Sequence, residues 1–409
     1  AAAVRANTGL IGSPYPTTRW SFPPLDLLVS LERRPVADDM VGGQRILATL
    51  ERSIEVERSN TYARRRACQA FPGENLVGQP TMDDVAARAG VSRALVSLVM
   101  RNSPKVSAHS RAAVLAAADD LGYRPNLMAR NLASRRSMTI GLVLNDLHNP
   151  FFAEITDGIH EAADAAGYRV VINSGWHSTE GEDAAVDTFL QFRTDGIILV
   201  GPWLGERRLR ELATETNLAL IGRAIDADSF DTVNVDDHLG AAMVVDHLVE
   251  LGHEHIAHID GGAGAGARER RDGYVDAMRR NGLASHVRII PGSYTESAGT
   301  QGVERLLRDD TRFTAVFAAN DLMATGALDR LEASGRRVPD DVSLVGFDNT
   351  ALAALQHMGL TTVNQPREVL GRLAAQCLIQ RIAGERTASV HHVLAPSLVE
   401  RTTSGPKPS

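Results

Sequence analysis

The stretch from Ile259 to Tyr274, I-D-G-G-A-G-A-G-A-R-E-R-R-D-G-Y, combines glycines and cations in a way that could cradle a phosphate. It lacks the Gly-Lys-Ser/Thr of a nucleotide phosphate loop, and its glycines miss the G-x-G-x-x-G spacing, so nucleotide binding is not expected. His253, His255 and His258 suggest a zinc site by composition. Strand alternation sends the later histidines to different faces, and no metal is expected. No paired catalytic acid, nucleophile elbow or metal motif occurs, so neither an enzyme nor a cofactor is expected. A different chemistry is spread through the chain, in polar and aromatic residues that follow apolar runs. Asn149, Phe151 and Phe152 follow the run at Ile140–Leu144, and Trp176 and Trp203 follow the next two. Arg223 follows Gly222, Tyr294 follows Ile290, Asn320 and Asp321 follow Ala319, and Asp348 follows Phe347. Aromatic faces with one Arg and one Asp hold a small polyhydroxylated ligand by stacking and bidentate hydrogen bonds. Core packing is the alternative for each aromatic.

To bring such residues together the runs must be strands whose carboxyl ends share one edge. The pattern predicts strands at Ile140–Leu144, Tyr168–Asn173, Asp195–Val200, Leu218–Gly222 and Val233–Val235, with helices over 152–166, 180–192 and 239–251. A second series follows, with strands at 255–259, 287–290, 315–318 and 342–347 and helices near 269–281, 296–308 and 322–334. Strands alternating with helices of this length imply parallel sheets covered on both faces. Open sheets of this kind bind ligands outside the carboxyl ends of their strands, so two series make two lobes with a cleft.

Thr81 to Asn102, T-M-D-D-V-A-A-R-A-G-V-S-R-A-L-V-S-L-V-M-R-N, carries another chemistry. Thr81 suits an N-cap with Asp83 and Asp84 in the first turn. Met82, Val85, Ala86 and Ala89 share one face, Gly90 breaks the helix, and Ser92 can cap a second helix with Leu95, Val96 and Val99 inward. Helix, glycine turn, helix is the unit that places its second helix in a DNA major groove; an ordinary helical hairpin is the alternative. Ser107 can cap a third helix ending near Leu121. Charge supports contact with DNA. Residues 80–137 hold nine Lys and Arg against four Asp and Glu, and residues 138–409 hold 24 against 38, within a net charge of −7 over 409 residues. A basic module on an acidic body fits a DNA-binding headpiece. The two cysteines, Cys68 and Cys377, suggest no disulfide framework. No run of about 18 apolar residues is present, so no membrane span is expected. Pro23-Pro24 and Glu32-Arg33-Arg34 interrupt the one apolar candidate for an export signal.

T-M-D-D-V-A-A-R-A-G-V-S, then K-V-S, then L-G-Y-R-P-N-L-M-A-R-N-L, then I-G-L-V-L-N-D-L-H-N-P-F-F resembles the LacI family of bacterial transcription regulators, from Thr81 to about Thr403. The resemblance implies an all-α helix-turn-helix headpiece over 80–124 and a hinge helix over 125–137. Over 138–409 it implies an α/β two-lobed, periplasmic-binding-protein-like domain with parallel sheets. The chain would cross between lobes near Asp236, Leu360 and Ser389. Residues 1–79 are expected to be an extension, largely disordered. DNA contacts would come from Thr81, Ser92, Arg93, Ala94, Ser97 and Leu98 and from hinge residues Asn126, Arg130 and Leu132, with Leu132 a minor-groove wedge. Arg93 and Ala94 occupy the base-reading pair. Leu95 and Leu98 depart from the family's Thr and Arg, which leaves the operator open. The pattern R-x-x-G-Y places Arg270 at a helix start facing the cleft, with Arg268 a weaker candidate. Ligand contacts are then Asn149, Phe151, Phe152, Trp203, Arg223, Arg270, Tyr294, Asn320 and Asp348. The family implies a cytoplasmic homodimeric repressor with double-stranded operator DNA and a small effector, a sugar, as partners. No leucine-rich tail follows, so tetramers are not expected. A solute-binding protein of a transporter is the alternative, disfavoured by the headpiece and by the missing export signal; a sugar- or nucleoside-processing enzyme is disfavoured by the lack of catalytic motifs.

Overall fold

The computed structural model describes residues 80–124, 136–309 and 312–408. The expectations for residues 1–79 and for Asn126, Arg130 and Leu132 fall outside the described residues. The chain divides into two compact units at Arg124/Pro125.

In the first unit, α1 (Met82–Ala89), α2 (Arg93–Met100) and α3 (Ala108–Asp120) close on one small core. Val85, Val96 and Val114 are fully buried, with Val99, Ala117 and Ala118 beside them. Leu95, expected to face inward, is half-buried. Gly90 ends α1 at φ 65°, a conformation that costs glycine nothing. Arg88 reaches Asp120 at 2.8 Å, and Arg111 fixes the turn after α2 through Asn102 Oδ1 and the Ser103 carbonyl.

The second unit begins with β1 (Thr139–Leu144), α4 (Phe151–Ala165), β2 (Arg169–Ser174), α5 (Thr179–Gln191), β3 (Gly196–Val200), α6 (Glu206–Glu215), β4 (Asn217–Ile221) and β5 (Asp231–Val235). It continues with α7 (Asp237–Glu250), β6 (Ile256–Ile259), α8 (Ala267–Arg280), β7 (Arg288–Ile290), α9 (Glu296–Arg308), β8 (Ala315–Ala318), α10 (Asp321–Ala333), β9 (Ser343–Asp348) and β10 (Thr361–Asn364). Then come α11 (Arg367–Ala383), β11 (His391–Leu394) and β12 (Ser397–Val399). One sheet has the order β11-β5-β4-β3-β1-β2, all parallel; the other has β12-β10-β9-β8-β6-β7, with β12 antiparallel to β10. β1 and β3 are apolar runs buried between helical layers, whereas edge strand β2 leaves Val171 and Ile172 exposed. Among the described residues no helix is long and apolar enough to cross a membrane.

The sequence reading missed α6, where only Leu209 and Leu212 are buried on a highly charged helix, and every element after β9. Two crossings need correction. β10 still lies in the second sheet, so the chain passes back at Gln365-Pro366 rather than at Leu360. β11 lies in the first sheet and β12 in the second, so the last passage is at Ala395-Pro396 rather than at Ser389. Both of these later passages have a proline, which cannot donate to a strand ladder.

α11 returns to pack Leu370, Ala374, Ala375 and Leu378 against Ile155 and Ile159 of α4. The two helices meet at Gly158 and Gly371, where a Cβ would overlap the carbonyls of Glu368 and Ile155. Gly299 and Gly326 make the matching approach of α9 to α10 in the other lobe. The absence of a side chain at these positions sets the helix spacing, and through it the position of the residues at the start of α4.

His258 on β6 is fully buried, stacked on Phe317 with ring centres 4.4 Å apart, and its Nδ1 donates to the Phe317 carbonyl. Burial pulls its pKa from 6.5 to about 4. Below pH 6.5 the unfolded chain takes a proton that the folded chain refuses until about pH 4. Stability carried by the neutral ring is therefore intact above 6.5 and lost as pH falls across that window, by roughly 3 kcal/mol. His258→Phe should abolish that share of the acid sensitivity. Urea unfolding of both proteins at pH 7 and pH 4.5 checks it; an identical drop in stability for the two would refute it.

Candidate functional site

On the headpiece, Thr81 closes a capping box. Its hydroxyl oxygen accepts from the Asp84 N–H, and the Thr81 N–H and hydroxyl both donate to Asp84 Oδ2 at 2.8 and 2.7 Å. Those bonds hold the Asp84 carboxyl below its usual range. Ser92 caps α2 by accepting from the Leu95 N–H at 3.3 Å. Both hydroxyls are thus engaged in starting helices. Arg93 and Ala94, in the first turn of α2, are exposed, while Ser97 and Leu98, one turn on, are half-buried. The Arg93 guanidinium lies 3.6 Å from Asp83 with both side chains about two-thirds exposed, so the pair is weak and easily opened.

The second unit holds a cavity between its lobes, lined by polar and aromatic side chains from both. Asn149, Phe151, Phe152 and Trp203 line it from one lobe; Arg270, Tyr294, Asn320 and Asp348 line it from the other. Asn145, His177, Asp237 and Gln365 also line it and were not anticipated. Asn145 follows β1 directly, so the strand-exit rule was sufficient to find it. Its Nδ2 donates to the carbonyls of Val200 and Gly201, tying β1 to the end of β3.

Four candidates fall elsewhere. Arg223 does not reach the cavity: its Nη1 donates to the carbonyls of Pro202 and Leu204 at 3.3 and 2.5 Å. It braces the loop that carries Trp203. Buried Glu182 holds that loop from the other side, accepting the Trp203 and Leu204 N–H groups, each at 2.7 Å, and burial raises its pKa. Trp176 is largely exposed and Arg268 pairs with Glu269 at the surface. Asp321 is buried and accepts from Thr350 and Thr362 beneath the 349–350 turn.

Arg270 is the centre of the far wall. Its Nε donates to Asp237 Oδ1 at 2.8 Å, its Nη1 to the Ala319 carbonyl at 2.6 Å, and its plane lies 3.8 Å over Phe347. Asp348 is 3.9 Å away and accepts from Gln365 Nε2 at 2.7 Å. Burial pushes its carboxyl up to about 8 against the pull of Arg270. Burial likewise raises Asp237 despite the ion pair. The backbone turns at φ 118° at Asp348 and φ 55° at Asn349, a strained corner of the kind that fixes side chains at binding sites.

The glycine run before α8 accommodates Tyr294. A Cβ at Gly261 or Gly264 would overlap its ring, and Tyr294 Oη donates to the Ala265 carbonyl at 2.9 Å. His253 is buried between Thr314 and Ser343, and among the described residues no group of three or more His, Cys, Asp or Glu could hold a metal.

Comparison with known proteins follows the same two-part division. Residues 81–126 match the family described as bacterial regulatory proteins, lacI family, and residues 245–404 match the periplasmic binding protein-like domain. The HTH-type transcriptional regulator GalR of Escherichia coli K12 is 33% identical over 324 residues, 78% of this chain and 94% of that protein. The HTH-type transcriptional repressor CytR of the same strain is 34% identical over 329 residues, 78% of this chain and 95% of that protein. Among solved structures, the lac repressor dimer bound to operator and the anti-inducer ONPF has a TM-score of 0.70 at 30% identity, covering 80% of this chain and all of that one. The regulator CelR in complex with cellobiose has a TM-score of 0.60 at 33% identity, covering 79% and 99%.

Proposed function

Because this chain belongs to the lacI family of bacterial regulatory proteins and is a DNA-binding transcription regulator, we propose that it acts as a cytoplasmic, homodimeric repressor controlled by a small polyhydroxylated effector, a sugar. Two headpieces read a pseudo-palindromic operator, each with α2 in the major groove, and Arg93 and Ala94 face base edges. The effector fills the cavity between the lobes. The cavity itself carries this assignment: aromatic faces from Phe151, Phe152, Trp203 and Tyr294 surround a buried Arg–Asp centre, the pairing that stacks on a ring and bonds its hydroxyls. An effector shifts operator affinity only by binding the DNA-competent and DNA-incompetent arrangements of the lobes unequally.

Asp348→Ala is expected to abolish the effector response and leave operator binding in place, since Asp348 belongs to the second unit and α2 to the first. Operator retention measured across a panel of monosaccharides, disaccharides and nucleosides checks this. A variant that still releases DNA with an unchanged ligand midpoint removes Asp348 from the site.

Arg93→Ala is expected to weaken the best operator by about 1–3 kcal/mol and to relax one position in each half-site. Binding of both proteins to a library of operator variants reads this out. A uniform loss over all sequences would make Arg93 a phosphate contact instead.

A further inference from the structure

We infer that Asp237 is a built-in anion that fills the cleft's one anion-binding position, so that the effector is a neutral polyhydroxylated molecule and not its phosphate ester or carboxylate. This rests on the cleft being the effector site. Among the described residues lining the cavity, Arg270 is the sole Arg or Lys. Asp237 accepts its Nε at 2.8 Å, Asp348 stands 3.9 Å from its Nη1, and the Ala319 carbonyl takes Nη1. Asp237 also lies against the start of α8: a Cβ at Gly266, the residue before that helix, would sit 2.6 Å from Asp237 Oδ2. A helix start with no side-chain cap beside a buried guanidinium is where an anionic group would bind, and a carboxylate of the chain already lies there. The start of α4, also without a side-chain cap and at the cavity, has its Phe151 N–H engaged by Asn149 Oδ1 at 3.0 Å. A phosphate entering this cleft would lose its water and meet two carboxyls, with no unpaired Arg or Lys among the described lining residues to offset them.

Removing the internal anion should open the position to an external one. The probes are sodium formate, matched in size to the missing carboxylate, and inorganic phosphate. Each is compared with sodium chloride at equal ionic strength by thermal unfolding of the full chain. The wild type should respond to formate and phosphate no differently from an Arg270→Gln variant, since phosphate on the headpiece is common to both. Asp237→Ala should be stabilised by formate, saturably, by roughly 3 °C at tenfold excess over its dissociation constant. Should Asp237→Ala fail to fold, Asp237→Asn keeps an acceptor for Arg270 Nε, removes the charge, and should gain saturable phosphate binding. Saturable, Arg270-dependent phosphate binding by the wild type overturns the inference and leaves the cleft as effector site. So does a folded Asp237 variant that gains no anion response. A sugar that stabilises wild type and Trp203→Ala equally overturns instead the placement of the effector in the cleft.

Discussion

Replacing Arg270 by Met is expected to cost roughly 3–5 kcal/mol of stability in the two-lobed unit and to remove the effector response entirely. The guanidinium is almost fully buried, and its loss leaves Asp237 without an ionic partner and the Ala319 carbonyl without a donor. Methionine fills much of the volume and keeps contact with the Phe347 ring, so the loss measures the broken polar centre rather than a cavity. Burial already raises the Asp237 carboxyl, and without Arg270 it rises further. The variant can therefore relieve the strain by protonating Asp237, so its deficit should be smaller at pH 5 than at pH 8. Denaturant unfolding at the two pH values reads this out. A deficit below about 1 kcal/mol, or one that does not grow with pH, would mean that Arg270 is not what neutralises Asp237.

The strand-exit residues were legible because parallel strands bring their carboxyl ends to one edge, which is why Asn149, Tyr294, Asn320 and Asp348 meet around one cavity. Spacing fixes where a side chain starts but not where it ends. Arg223 leaves β4 at the cleft, yet after Gly222 turns at φ 81° its guanidinium swings back onto Pro202 and Leu204. Asp237 lay beside the expected lobe passage at Asp236, and nothing local marks it as the partner of a residue 33 positions later. Gln365 was hidden because β10, T-T-V-N, does not read as a buried strand. Its threonines are buried only because Thr362 donates to Asp321, Thr361 shares a bond with Ser404, and the Thr361 N–H donates to Thr403 Oγ1. Those partners come from the start of α10 and from the C-terminal segment, at sequence separations that no local pattern encodes. In the headpiece, by contrast, the caps Thr81, Ser92 and Ser107 and the break at Gly90 are local signals, and the three helices follow them to within a residue.

Asp231→Ala is expected to destabilise the two-lobed unit by roughly 3–5 kcal/mol, because it strands two largely buried arginines. Asp231 is fully buried at the start of β5. Its Oδ1 accepts from Arg381 Nη2, Arg386 Nη1 and the Val390 N–H at 3.1, 2.7 and 2.9 Å, and its Oδ2 accepts from Arg381 Nε and Arg386 Nη2 at 3.3 and 3.0 Å. Burial alone would raise its pKa, but the bonds from Arg386, Arg381 and Val390 together outweigh it and hold the carboxyl below 3.8. The stability it contributes is present above that value and lost as pH falls below it. The node joins the end of α11 to β11, whose His391 pairs in register with Thr232 beside Asp231. Without the carboxylate, β11 loses the clamp that seats it on the sheet edge, and the segment 386–394 should exchange amide hydrogens faster than β1 or β3 do. The headpiece has its own core, so operator binding by the folded fraction should survive below the new unfolding temperature. Asp231→Asn, which keeps acceptors but no charge, should fall between the two. If Asp231→Ala unfolds within about 1 kcal/mol of the wild type and 386–394 stay protected, strand pairing and helix packing alone hold the last passage between the lobes.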